Sequence, residues 1–279
     1  MNPKATPAQL QAQVSGSSFY AGMRVLPKAE REAMYAVYAF CRQVDDIADD
    51  EGGDRADRAV ALDAWRADIE SLYAGRDPGQ AALLVAAVDR FKLEKVDFLA
   101  VIDGMAMDVE RDIRWPAFDT LDLYCDRVAS AVGRLSVKIF GMDERPGIEL
   151  AYHLGRALQF TNILRDIDED ATIGRVYLPR EPLVAAGVAL DEPLILVADP
   201  RIEGACRMLA AKAHEHFAAA QTILAARPRG HLLAPRLMAA VYAPLLRRME
   251  AAGWGAPRTR IRVNKPALLL TVLRLSLFR

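Results

Sequence analysis

Between Glu30 and Val44 the apolar residues fall at Ala33, Met34, Val37, Tyr38, Cys41 and Val44. Steps of three and four place them on one face of a helix. Alanine-rich stretches with the same helical period run from Arg55 to Gly75, Gln80 to Phe91, Glu94 to Arg111 and Leu121 to Phe140. They continue from Gly147 to Ile167, Arg201 to Ala226 and His231 to Ala252. Pro27, Pro78, Pro116, Pro146, Pro228 and Pro257 stand between these blocks, where a fixed φ and a missing N–H start or stop helices. No series of alternating β-branched runs appears. The pattern predicts an all-α fold of about eight or more helices.

Hydrophobic residues fill 52% of the 279 positions, enough for a large core. Pro and Gly gather into no linker, and no repeat or shift in composition marks a boundary. One domain over residues 1–279 is expected, with 1–14 disordered. A net charge of −1 supplies no bulk attraction to nucleic acid, so none is expected as a partner. Cys41, Cys125 and Cys206 are odd in number and far apart, which fits core thiols in a reducing cytoplasm. Met1 to Val14 lacks the apolar core of a signal peptide, and no run reaches the roughly 18 apolar residues of a membrane span. The apolar tail from Ala267 to Arg279 carries Arg274 and reads either as a core helix or as an interfacial one. Membrane contact is therefore expected only at the periphery, through that tail.

The chemistry lies in two aspartate clusters. One reads Arg42-Gln-Val-Asp45-Asp46-Ile-Ala-Asp49-Asp50; the other reads Gln159-Phe-Thr-Asn162-Ile-Leu-Arg165-Asp166-Ile-Asp-Glu-Asp170. Asp45/Asp49 and Asp166/Asp170 stand four apart. On a helix, such residues lie about 40° apart in rotation and roughly 6 Å apart along the axis, so their carboxylates project side by side. Alone they repel by a few tenths of a kcal/mol. They also sit at the C-terminal ends of their predicted helices, where the dipole disfavours negative charge. A divalent cation reverses both penalties, and hard oxygen ligands suit Mg²⁺, with Mn²⁺ as a substitute. A diphosphate would complete such a site, and an apolar helical wall would shield a carbocation, which points to isoprenoid diphosphate chemistry.

Other carboxylate sites fit less well. A di-iron bundle needs Glu-x-x-His; Glu149 and His153 are four apart, and no Glu-x-x-His occurs. Neither cluster has the Asp-x-Asp-x-Asp-Gly loop of a calcium-binding hand. His153, His214, His216 and His231 read as structural or surface residues. A helical scaffold without catalysis is the remaining rival, and metal-dependent turnover of a prenyl diphosphate separates it from an enzyme.

These residues resemble the squalene/phytoene synthase family of head-to-head prenyl synthases. Ser15-Gly-Ser-Ser18-Phe19-Tyr20 followed by Arg24-Val-Leu-Pro27 is similar to the family's opening segment. Tyr38-Ala-Phe-Cys41-Arg42-Gln-Val-Asp45-Asp46-Ile-Ala-Asp49 is similar to its first aspartate motif. Tyr124-Cys125-Asp-Arg-Val128-Ala129-Ser-Ala-Val132-Gly133 is similar to its central segment, with Ser130 where many members carry Gly. Gln159-x-x-Asn162-x-x-x-Asp166-x-x-x-Asp170 is similar to its second aspartate motif. Gly174-Arg175-Val-Tyr177-Leu-Pro179 is similar to the loop next to that motif. The likeness runs over roughly residues 15 to 265.

The resemblance implies an isoprenoid synthase bundle around a central apolar cavity. It implies Mg²⁺ on Asp45, Asp49, Asn162, Asp166 and Asp170, with Gln159 lining the site. Arg42, Arg165 and Arg175 would meet diphosphate oxygens. Ser17, Ser18 and Phe19 would lie at the substrate. Tyr38, Tyr124 and Tyr177 would line the cavity as catalytic residues, steadying cations. Several members carry a basic residue near position 17; here Arg260, within the Arg258, Arg260, Arg262, Lys265 group, would stand in for it. The motif flavour is most similar to bacterial presqualene diphosphate synthases of the hopanoid route, with phytoene synthase or full squalene synthase as alternatives. The implied reaction joins two farnesyl diphosphates and needs no NADPH. Its product would pass to later enzymes of a hopanoid or carotenoid route. The implied location is cytoplasmic, or peripheral at the inner face of the membrane.

Overall fold

The computed structural model describes residues 22–50 and 54–262. Ser17, Ser18, Phe19, Lys265, the first fourteen residues and the 267–279 tail lie outside the described residues. The first half comprises α1 (Lys28–Ala48), α2 (Arg55–Tyr73), a 3-10 segment (Gly79–Leu84) running into α3 (Val85–Phe91), and α4 (Lys95–Glu110). Then come α5 (Phe118–Cys125), a π-helical turn (Asp126–Ser130), α6 (Ala131–Ile139) and α7 (Glu144–Arg165). Three short helices follow, α8 (Ile167–Thr172), α9 (Arg180–Ala185) and α10 (Pro193–Ala198), and then two long ones, α11 (Ile202–Ala225) and α12 (Leu233–Ala252). The described residues form no strand, only an isolated parallel bridge between Arg114 and Val176. None of their helices is long and apolar enough to cross a membrane.

Local chemistry sets the boundaries. Asp54 caps α2 by accepting from the Asp57 N–H at 2.9 Å. Gly253, at φ 79°, ends α12 in a conformation that a side chain would strain. Pro146 does not precede α7 as its spacing predicts. It sits in the first turn, where an N–H would have no helical partner. The block from 121 to 140 is not one helix either: the π-turn splits it. That turn brings Ser130 against α7 at Gly155, where an added Cβ would lie 2.8 Å from the Ser130 Oγ and 2.9 Å from its Cα.

Two apolar cores flank the middle of the molecule. In one, Phe40 of α1 makes edge contacts with Trp65 and Phe98 at 5.3 and 5.4 Å. The other gathers α7, α11, α12 and Trp254. Val128 and Met142 pack against both. A cavity of about 260 Å³ opens between α1, the π-turn and α6, α7 and α12. Its wall is apolar, including Val37, Val132, Leu154 and Met238, and Cys41 contributes to it. Cys125 and Cys206 are buried free thiols, as core residues should be. The histidines are tied structurally: His153 to His216 at 3.0 Å, His214 to Glu250 at 2.8 Å, and His231 to Glu30 at 3.3 Å.

Candidate active site

The first cluster occupies the last turns of α1. Arg42 reaches forward along the helix surface and donates to Asp45 at 2.8 Å and Asp46 at 2.7 Å. Asp49 closes the helix, its N–H bonded to the Asp45 carbonyl. The second cluster departs from the continuous helix that its spacing predicts. α7 ends at Arg165, and the chain bends at Asp166 (φ −106°, ψ 17°) before α8 resumes. The Asp170 N–H still bonds to the Asp166 carbonyl at 2.8 Å, so the four-residue relation survives the break.

Asp166 is claimed twice. Arg165 donates to it from Nε at 2.8 Å, and Arg260 from Nη2 at 2.7 Å. Arg258, beyond α12, pairs with Asp168. The stretch after α12 is thus part of the site; Trp254 anchors it by donating its indole N–H to the Leu164 carbonyl at 3.0 Å. The Arg114–Val176 bridge holds the 174–177 loop, with Trp115 N–H to Val176 carbonyl and Val176 N–H to Ile113 carbonyl both at 2.8 Å. That loop delivers Arg175 to Asp49, linking the second cluster to the first.

Behind this link lies a residue that the motifs do not contain. Asp108 of α4 is buried at 3% exposure. It accepts from the Tyr124 hydroxyl at 3.0 Å and the Tyr177 hydroxyl at 2.7 Å. The two rings stack with centroids 5.1 Å apart. Tyr38, Gln159 and Asn162 line the cavity; Tyr124 and Tyr177 are not among its lining residues. Tyr242, also outside the motifs, lies beside Arg165.

The carboxylates crowd one another. Burial, then the charge of Asp49, pushes Asp45 up to about 6 against the pull of Arg42. Burial and Asp166 push Asp170 up to about 8, with Arg175 opposing. Burial raises Asp108 to about 6, again with Arg175 opposing. Asp108 contributes to the rise at both Asp45 and Asp170, so the two clusters share one electrostatic environment. The site holds more negative charge than it neutralises.

The Asn162 Oδ1 adds a buried acceptor with no hydrogen-bond partner. Asp45, Asp49, Asn162, Asp166 and Asp170 offer oxygen alone, the donor set of Mg²⁺ or Mn²⁺. Among the described residues no three acidic, imidazole or thiol groups converge into a closed metal cage. An open set suits a cation that keeps water and shares phosphate oxygens. Arg42, Arg165, Arg175 and Arg260 each engage an aspartate of the two clusters.

The squalene/phytoene synthase family model matches residues 12–267. Presqualene diphosphate synthase of Zymomonas mobilis subsp. mobilis is 64% identical over 95% of this chain and 92% of its own length. Presqualene diphosphate synthase of Rhodopseudomonas palustris is 50% identical over 97% of each. A crystal structure of a dehydrosqualene synthase in complex with ligand superposes with a TM-score of 0.83 at 25% identity, covering 98% of this chain and 95% of that one. A helical bundle whose second aspartate motif lines an apolar cavity through Gln159 and Asn162, matched along nearly its whole length, belongs to the squalene/phytoene synthase family.

Proposed function

We propose that the protein is a prenyltransferase that condenses two farnesyl diphosphates head to head, forming presqualene diphosphate and releasing one diphosphate. The observation that carries this reading is the joining of the two clusters through Arg175 and Asp49, with Gln159 and Asn162 of the second motif and Tyr38 lining an apolar cavity. The names of the relatives at 64% and 50% identity support the product.

In this reading Asp45, Asp49, Asn162, Asp166 and Asp170 would hold divalent metal, which would supply positive charge to the leaving diphosphate. Arg42, Arg165, Arg175 and Arg260 release their carboxylates and turn to phosphate oxygens, for which the guanidinium fork is shaped. Their present pairing holds each guanidinium on a carboxylate until substrate arrives. The cavity wall excludes water from the allylic cation, and Tyr38 adds a ring face on the same wall. The acceptor's C2–C3 double bond then attacks C1 of the donor, and loss of a C1 proton closes the cyclopropane. No electron pair comes from outside, so no nicotinamide is required. Ser17, Ser18 and Phe19 are assigned to substrate by their motif. Substrate and product carry long apolar tails, which favours work in the cytoplasm at the membrane's inner face.

Incubation with farnesyl diphosphate and Mg²⁺, with and without NADPH, tests the proposal by product mass. A diphosphate-bearing C30 product unchanged by NADPH is expected. Squalene on adding NADPH means a full squalene synthase. Strong preference for geranylgeranyl diphosphate, with phytoene formed, overturns the substrate assignment.

A further inference from the structure

α1 ends at Ala48, so the Ala48 carbonyl has no helical partner. Ala48 is buried, which leaves that oxygen to protein donors. Two cations serve it. Arg175 donates from Nη2 at 3.1 Å while its Nη1 holds Asp49. Arg58 of α2 donates from Nη1 at 3.0 Å. A carbonyl oxygen has two lone pairs, so both bonds stand together.

The two arginines differ in what else they do. Arg175 is shared between the carbonyl and a carboxylate of the first cluster. Arg58 belongs to no motif. Among the described residues its side chain makes no other hydrogen bond, and its Nε is buried without a partner. It stands near the start of α2, where the helix dipole disfavours a cation, but its head group reaches the C-terminal end of α1, where the dipole favours one. Asp54 fixes the approach: its side chain caps α2, and its carbonyl accepts the Arg58 N–H at 3.2 Å.

We infer that Arg58 is a positioning residue for the first aspartate cluster, keeping the last turn of α1 closed when Arg175 leaves the Ala48 carbonyl for diphosphate. The inference rests on the proposed function, in which Arg175 turns to phosphate oxygens. Without Arg58, that movement would strand a buried carbonyl next to Asp49. The turn at risk is closed by the Asp49 N–H on the Asp45 carbonyl, so both carboxylates of the pair depend on it. Two like charges at one oxygen also repel, which favours release of the arginine that has a second anion to meet.

Arg58→Met removes the donors and keeps an unbranched chain. Titration calorimetry with inorganic diphosphate and Mg²⁺ then reads the release with no product formed. We expect the diphosphate Kd to rise about tenfold, the loss of one bond from a charged donor. Arg58→Lys still offers a donor to a single acceptor and should stay within about threefold of the unaltered protein. Urea unfolding in EDTA reads the sharing. Either arginine alone should hold the carbonyl. The factor by which Arg58→Met raises the unfolding constant should therefore be at least about fivefold larger in an Arg175→Met background.

An unchanged diphosphate Kd in Arg58→Met overturns the inference, as does purely multiplicative behaviour of the two substitutions in unfolding. Failure of Arg58→Met to fold with Arg175 intact overturns it too, because Arg175 should then hold the carbonyl. If only the double variant fails to fold, the sharing is upheld and the diphosphate Kd decides. If the unaltered protein makes a product other than presqualene diphosphate, the proposed function fails separately, and both readouts stand because neither uses product. If it binds no diphosphate with Mg²⁺, both fall.

Discussion

Arg175 donates to Asp49 at 2.7 Å across 126 positions of sequence. Its other terminal nitrogen bonds to the Ala48 carbonyl at 3.1 Å. The guanidinium thus caps the last turn of α1, while the Arg175 N–H bonds to the Asp170 carbonyl at 2.9 Å, so the residue joins the two aspartate clusters. Arg175 is buried, whereas the Asp49 side chain is 52% exposed.

Arg175→Lys should damage this link without removing charge. An ammonium is a single point and cannot serve the carbonyl and the carboxylate in one plane. We expect kcat/KM to fall about 100-fold, with an accompanying stability loss of about 1–3 kcal/mol from the displaced charge. Steady-state assays and urea unfolding check both. Unchanged kcat/KM would remove Arg175 from the site's chemistry.

Asp49→Asn and Asp166→Asn each remove a charge but little volume. Turnover should drop by at least about 100-fold in either while the circular dichroism spectrum is kept. Near-normal activity in both variants, persisting when EDTA has stripped Mg²⁺, would sink the metal assignment.

Asp170 gives a pH signature in the metal-free protein. Its folded pKa, about 8, stands above the ordinary carboxyl value of 3.8. The folded state thus holds this proton more tightly than the unfolded chain does. The stabilisation is complete below about 4 and is lost as pH rises through about 8. Asp170→Asn, which cannot ionise, should lose less stability between pH 5 and pH 8.5 than the unaltered protein in EDTA. Its Tm at pH 8.5 should exceed that of the parent, although its activity should be lost. Parallel Tm curves for the two proteins would contradict the crowding of carboxylates in the site.

Gly155→Ala would ordinarily strengthen a helix by roughly 1 kcal/mol. Here the new methyl would meet the Ser130 backbone at 2.9 Å, and backbone cannot swing aside as a side-chain end can. Overpacking should win, for a net loss of about 1–3 kcal/mol in urea unfolding. Equal or greater stability would show that α7 and the π-turn can separate freely.

The long helices were legible because each carries an unbroken apolar period: α1, α2, α4, α7, α11 and α12 lie within a few residues of where that period places them. α9 and α10 are six residues each, too short to display a period. The break at Asp166 was hidden because Ile163, Ile167 and Ala171 continue the apolar stripe of α7 across it. Both aspartate clusters declared themselves by spacing along a single stretch of chain. Asp108 could not: its tyrosine partners are 16 and 69 residues away, and it stands between methionines and valine with no local companion. Arg42 and Arg165 pair with aspartates of their own motifs, but Arg175 and Arg260 reach theirs across 126 and 94 positions, which no local pattern shows.

The anchoring of Trp254 on Leu164 has a practical consequence. Trp65 is sealed in one core and Trp254 in the other, with Trp115 packed at the margin of the second. In a Trp115→Phe protein, each half would carry a single indole emitter. Trp254 accepts its surroundings from the turn that bears Arg165, so its emission would register rearrangement of the second aspartate cluster, while Trp65 would serve as an internal reference on the far side of the cavity.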